Sequence, residues 1–221
     1  MPLQEKPLSQ AIKERRATPA FDGSPIPDAD LKQIMQEGLE APSAYNSQPW
    51  RFVVVRDPQQ RAALQTAAFN QSKVGNASAI VVACGNPDWK EDVERLVEDG
   101  RRAGTIHDKN EDVVRKAYTS FRSTPAGDVA ALAPDWTVWL NRHVMIAFTT
   151  IMWAAETHGY DTAPMEGFVE SAVKKTLGIP DHIRVVALLS IGKRQGEDKP
   201  YGGRAPLEKL VFEDRWGNEL K

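Results

Sequence analysis

One cysteine, Cys84, stands among the 221 residues. That scarcity excludes an internal disulfide and any zinc site built on cysteines. Cys84 ends an apolar run, Ile80–Cys84, and reads as a buried, inert thiol, because a reactive cysteine needs an accessible, electropositive setting. The four histidines, His107, His143, His158 and His182, have no metal-ligand spacing such as H-x-x-x-H, so no metal site is expected. The chain also lacks a G-x-S-x-G elbow, a Walker loop and a G-x-G-x-x-G turn, which leaves hydrolase, nucleotide-hydrolysing and Rossmann readings without sequence support. Neither charge dominates: 28 Lys and Arg face 30 Asp and Glu, for a net charge of -2. A nucleic-acid or membrane-surface partner, which usually demands a basic excess, is not expected. Residues 1–16 hold no apolar run of the secretory type. The longest apolar stretch, Val144–Ala155, falls short of the ~20 residues that span a bilayer. A cytoplasmic protein is the expectation.

What is present suffices for a core. Hydrophobic residues make up 41% of the chain, with six Trp and seven Phe, and the length fits one domain over 1–221. Residues 8–16 form a short helix with Leu8, Ala11 and Ile12 on one face. A second helix starts at Asp28 and aligns Leu31, Ile34, Met35 and Leu39 in one stripe. Arg51–Arg56 (RFVVVR) and Ile80–Cys84 read as strands, and Val185–Ile191 as a third. Residues 59–73 read as one helix. The 88–135 stretch is charged and reads as a helical insertion near the active site, with a mobile tip in STPAGDVAALAPDW. Residues 138–158 form the strongest helix, apolar nearly all round and expected to be buried on most sides. Another helix is expected over 167–177, then a Gly/Pro/Lys loop over 192–206 and a short alternating segment, Leu207–Phe212. Helices and strands interleave, which predicts an α+β class, an α/β sandwich with one sheet covered by helices.

Three stretches carry possible chemistry. In ERRATPAF, Arg15 and Arg16 close a helix; they either complement its dipole or clamp a phosphate, whose oxygens match the guanidinium fork. In APSAYNSQPW, prolines fix the backbone while Ser, Asn and Gln offer hydrogen bonds; this is either a plain turn or a loop that reads the edge of a heterocycle. In DTAPMEGF, the chain enters a helix whose first N–H groups either stay solvated or serve a ligand.

Taken in order, RRATPAF, APSAYNSQPWRFVVV, FNQSKVGNAS, PMEGF and a late Arg-Ala-Pro-Leu-Glu resemble the nitroreductase family of flavoproteins. The resemblance spans most of the chain and lapses in 88–135. It implies a nitroreductase-like fold: a central, mostly antiparallel sheet flanked by helices, in an intertwined homodimer with an exchanged C-terminal strand. It further implies that FMN binds non-covalently at the interface. Arg15, Arg16 and Thr18 would hold its phosphate or ribityl end, and Arg204 would reach the phosphate from the C-terminal region. Pro42, Ser43, Asn46 and Gln48 would reach the flavin from the partner chain. Asn70 and Lys73 would lie at the pyrimidine edge, and Pro164, Met165, Glu166 and Gly167 would pass along the ring, with the Glu166 N–H near N5. Lys73 would stabilise the negative charge of the reduced ring. Ala17, Pro19 and Gly202 depart from the usual pattern of small and basic residues, so phosphate binding would either rest on fewer cations or take Lys193 or Lys199 as a substitute.

The implied activity is that of an NAD(P)H-dependent FMN oxidoreductase. It would reduce nitroaromatic, quinone or related acceptors by ping-pong hydride transfer, with NADH or NADPH as donor. Trp136, Trp139, Tyr118 and Phe121 either line the acceptor pocket or belong to the core or dimer contact. Two alternatives are a same-fold flavoenzyme with other chemistry, such as a reductive dehalogenase or dehydrogenase, and a non-catalytic flavin-binding protein.

Overall fold

The computed structural model describes residues 5–123 and 136–220. The short helix α1 (Leu8–Glu14) buries Ala11 but leaves Leu8 and Ile12 of its expected face exposed. It leads to α2 (Asp28–Leu39), where Leu31 and Ile34 of the stripe are buried, Met35 is half-buried and Leu39 is exposed. Four strands follow the β-branched runs: β1 (Trp50–Val55), β2 (Ala79–Gly85), β3 (Asp161–Met165) and β4 (Arg184–Gly192). They form one sheet in the order β1-β2-β4-β3, and every pair is antiparallel.

Alternation along β2 divides the core. Ala79, Val81 and Ala83 face α2 and the long helix α7 (Trp136–Thr157), while Ile80, Val82 and Cys84 face the opposite layer. That second layer holds α3 (Pro58–Ala67), α4 (Ser72–Gly75) and α8 (Glu170–Leu177). The result is a three-layer sandwich, as the interleaved pattern implied. One residue of β4, Val186, is skipped between the pairs Ala83–Ala187 and Cys84–Val185. This bulge sends Val185 and Ala187, two positions apart, to opposite faces. Cys84 is buried in the sheet and its thiol is pushed up to about 11, chiefly by burial.

Three expectations need correction. The helix over 59–73 is broken: Phe69 and Asn70 both adopt left-handed backbone (φ 54° and 56°) between α3 and α4. Gln65 holds this corner, its carbonyl accepting the Asn70 N–H (2.9 Å) and its amide donating to the Asn70 carbonyl (3.3 Å). The DTAPM stretch is a strand rather than a helix approach. Its proline is tolerated because β3 is an edge strand, where a missing N–H costs no ladder bond. Within the chain, Leu207–Lys209 forms a 3-10 turn and Phe212 makes an isolated bridge with Glu219. Finally, α7 is buried on one face only. Ile146 remains 40% exposed, and Thr149, Thr150 and Trp153, on the same side at helical spacing, are half-buried.

The 88–135 stretch contains two helices, α5 (Trp89–Arg102) and α6 (Glu111–Ser123), packed together through Val93, Leu96, Val97, Ile106 and Tyr118. The tip expected in STPAGDVAALAPDW lies outside the described residues, apart from Ser123, the last of α6, and Trp136, the first of α7.

Candidate active site

Strand β3 is the spine of the site. Its parity follows from one bond: the Thr162 carbonyl accepts the Thr18 N–H (3.0 Å), so Thr162 turns its backbone away from β4. Pro164, two residues on, faces the same way. The ERRATPAF segment lies along this outer edge, with Ala17 bridged to Thr162 in parallel sense. Thr18 is fully buried there.

The two arginines diverge. Arg15 caps α1, and its Nη1 is buried without a hydrogen-bond partner. Arg16 turns its Nη1 back onto the carbonyls of Lys13, Glu14 and Arg15 at 2.8, 3.0 and 2.9 Å, so it complements the helix end as the dipole reading held. Its guanidinium also lies over the Tyr201 ring (4.6 Å), and Arg204 approaches the same ring (5.5 Å). With Ile12 and Lys13 these residues line a cavity of about 480 Å³. The structure thus brings Arg16 and Arg204 together across 188 residues of chain.

Behind Arg15 sits an acid that the sequence reading missed. Glu156, on the last turn of α7, is 5% exposed and accepts a hydrogen bond from Thr162 Oγ1 (2.6 Å). Burial pushes its carboxyl up to about 7; the Thr162 bond and the charges of Arg15 and Lys6 oppose that rise, and Asp161 adds to it. Of the two substitute cations, Lys193 is already engaged: it donates to the Gly159 carbonyl (2.5 Å) and sits over the Tyr160 ring. Lys199 faces Lys73 instead. Burial, and then the repulsion of Lys199, hold the Lys73 ammonium below its ordinary value. Two cations held together in this way favour an anion between them.

At the other end of β3, the corner 69–73 meets the turn 165–169. Gln71 Nε2 donates to the Gly167 carbonyl (2.9 Å), and the Val169 N–H donates to the Ala67 carbonyl (2.8 Å). Lys73, Asn70, Glu166 and Gly167 therefore share one region, with Met165 buried beneath and Phe69 exposed at the rim. Gln71 and Phe69 were not singled out from the sequence; Gln71 lies inside the FNQSK motif and could have been. From Thr162 to Met165 the strand advances about 10 Å, so a cationic end and a half-buried amide-lined end are joined by a short stretch of edge.

The Pro42–Gln48 loop lies elsewhere in the chain. Its hydrogen bonds and ring contacts, among the described residues, reach neither the 69–73 corner nor the 165–169 turn. Ser43 Oγ accepts the Gln48 N–H (2.9 Å). Tyr45, Asn46 and Gln48 adopt left-handed backbone (φ 57°, 54° and 42°), at a cost of about 1 kcal/mol or more each for residues with a side chain. The aromatic residues divide: Tyr118 and Trp139 are buried and belong to the core, whereas Phe121 and Trp136 are half-buried.

Comparison with known proteins follows this geometry. The model of the Nitroreductase family matches residues 12–193. An NADH dehydrogenase of Thermus thermophilus is 31% identical over 203 residues, covering 91% of this chain and 93% of its own. The Bacillus subtilis protein MhqN, assigned as an NAD(P)H nitroreductase, is 30% identical, covering 92% and 97%. Among solved structures, a protein of Exiguobacterium sibiricum assigned as a nitroreductase, in complex with FMN, superposes with a TM-score of 0.83 at 26% identity, covering 93% and 96%. The chain belongs to the nitroreductase family.

Proposed function

We propose that this protein is an FMN-dependent NAD(P)H oxidoreductase that reduces nitroaromatic, quinone or related acceptors in a ping-pong sequence. The observation that carries the reading is the outer edge of β3, paired only at Thr162: a buried Arg15 Nη1 with no hydrogen-bond partner among the described residues at one end, and Lys73 with Asn70 beside the Glu166–Gly167 turn at the other. An elongated ligand with a dianionic tail and a flat polar head fits that edge. The names of the Thermus and Bacillus relatives and the FMN complex of the Exiguobacterium protein support the same assignment.

Arg15 and Arg204 would neutralise the phosphate, with Arg16 contributing charge while it caps α1. Thr18 and Thr162 hold this end rigid through the edge pairing. When bound, FMN supplies the redox chemistry, taking hydride from NAD(P)H and passing it to the acceptor. Lys73 sets a positive charge at the pyrimidine edge and so favours an electron-rich ring. The backbone N–H of Glu166 offers a donor with no pKa of its own near neutrality. Neither role needs an acid–base side chain, so donor and acceptor can use one open face in turn.

The working unit is a homodimer. The open stripe of α7 (Ile146, Thr149, Thr150, Trp153) and the exposed Leu207, Leu210 and Trp216 of the C-terminal arm supply apolar surface for a second copy. A partner would also bring Pro42, Ser43, Asn46 and Gln48 to the flavin, which one chain alone does not.

The test is spectroscopic. Purified protein is loaded with FMN and mixed anaerobically with NADH, then with NADPH. Bleaching of the oxidised flavin band is expected with one or both; no bleaching with either refutes the assignment. Parallel double-reciprocal plots against a quinone are expected, and intersecting lines would exclude the ping-pong sequence.

A further inference from the structure

The left-handed loop that would reach the flavin has little of its own to hold it. Its internal bonds are local: Ser43 Oγ with the Gln48 N–H, the Asn46 N–H with the Ser43 carbonyl (3.0 Å), and Gln48 Nε2 with the Asn46 carbonyl (3.3 Å). Ala44 packs on the core and the Asn86 N–H donates to the Pro49 carbonyl (2.8 Å) just beyond the loop; the other ties to the body come from the 88–135 stretch. Arg95 of α5 donates through Nη2 to the carbonyls of Ser47 and Gln48, the latter at 3.1 Å. Asp92, fully buried one turn earlier, fixes that same Nη2 at 3.0 Å. From α6, Tyr118 meets the Tyr45 ring edge-on at 5.6 Å and Phe121 packs on it at 5.2 Å. Ser47 is buried against this support, while Pro42 and Asn46 on the loop stay exposed.

We propose that Arg95 is a positioning residue for the cofactor: the α5–α6 pair is a splint that fixes Tyr45–Gln48 from behind and so sets how tightly flavin is held. The inference rests on the reading that this loop contacts FMN. Both carbonyls and Asp92 Oδ1 converge on the one nitrogen Nη2, so a lysine, with a shorter stem and a compact ammonium, has to bring its charge to the same point to replace it. A strained backbone persists only where its surroundings over-determine it. Without Arg95 the loop keeps its own local bonds, the Ser47 N–H to the Ala44 carbonyl (3.0 Å) among them, none of which anchors it to the sheet. The α5–α6 pair thereby gains a role in the site: a change at Arg95 would reach the flavin through a backbone contact rather than through a side chain in the site.

Wild type, Arg95→Met and Arg95→Lys are compared by hydrogen exchange on a peptide covering residues 42–49, with a β2 peptide as internal control. FMN release is followed by recovery of flavin fluorescence on dilution. In Arg95→Met, faster exchange confined to 42–49 and FMN release about tenfold faster are expected, the scale of one lost charge-assisted contact. Arg95→Lys is expected to fall between, and it carries the test if Arg95→Met does not fold. Unchanged exchange in 42–49 overturns the splint. Faster exchange with unchanged FMN release overturns its link to the cofactor. Wild-type protein that takes up no FMN overturns the functional reading instead, and exchange alone then decides whether Arg95 holds the loop.

Discussion

Glu156→Gln is expected to stabilise the FMN-free protein at pH 8 and to lose most of that advantage by pH 4.5. The Glu156 carboxyl is 5% exposed, and burial raises it from the ordinary 4.5 to about 7. The folded chain therefore holds this proton more tightly than the unfolded chain. Between pH 4.5 and 7 the native state binds more protons, and stability falls as pH rises through that window. Below it the group is neutral in both states; above it the full penalty is present and constant. At 1.36 kcal/mol per pH unit the penalty amounts to about 3 kcal/mol. Glutamine stays neutral and keeps a carbonyl oxygen for Thr162 Oγ1, so it escapes the penalty without losing the bond. Urea melts of both proteins at pH 4.5, 6 and 8 measure the difference. The flavin must be absent, because a bound ligand adds its own binding free energy. A difference that grows by about 2–3 kcal/mol from pH 4.5 to 8 fits the burial argument. A difference that does not change with pH refutes it, and shows that Arg15 and Lys6 keep Glu156 ionised throughout.

Other outcomes follow from packing and charge. Lys73→Met is expected to weaken FMN binding and to make the bound flavin harder to reduce, read as a more negative midpoint potential; an unchanged potential places Lys73 away from the ring. Gly38→Ala sets a Cβ 2.1 Å from Ile151 Cγ1 and 3.1 Å from its Cα, which the α2–α7 crossing accommodates only by moving apart. A loss of about 1–3 kcal/mol in urea is expected. The Cys84 thiol, pushed up to about 11 within β2, is expected to resist a thiol reagent at pH 8 until urea unfolds the chain; rapid labelling of native protein would contradict its burial.

How far the sequence discloses this molecule depends on whether a feature is local. The β-branched runs of β1, β2 and β4 and the stripe of α2 announce themselves, because burial on a sheet or a helix face imposes a period that residues must obey. The break between α3 and α4 does not. Residues 59–73 read as one helix, yet Phe69 and Asn70 turn left-handed where Gln65 and the Ala67–Val169 bond hold them. A proline hid β3, since the same residue that is tolerated at an edge argues against a central strand. The motifs single out Arg15, Lys73 and Glu166 as candidates, but not what stands behind them. Glu156 lies in an apolar helix and Arg95 in a charged one, and each looks ordinary in its own segment. Their partners, Thr162 and the Ser47–Gln48 carbonyls, lie 6 and about 48 residues away, and only the fold joins them.

Edge position and site construction are one solution here. A sheet edge exposes unpaired backbone groups that invite another strand. In β3 the outward residues are Thr162 and Pro164: the first is paired by Thr18, and the second has no N–H to offer. That blunts the edge along its first half without covering it with a full strand. Past Met165 the chain turns at Glu166–Gly167, pinned by Gln71, and the backbone there is free to meet a ligand. The same edge that had to be protected from a wrong strand thus presents a cationic end, a proline-smoothed wall and a donor turn in sequence. On the proposed function a flat cofactor with a charged tail would complete that edge, and the constraint that places β3 outermost would then be a functional one.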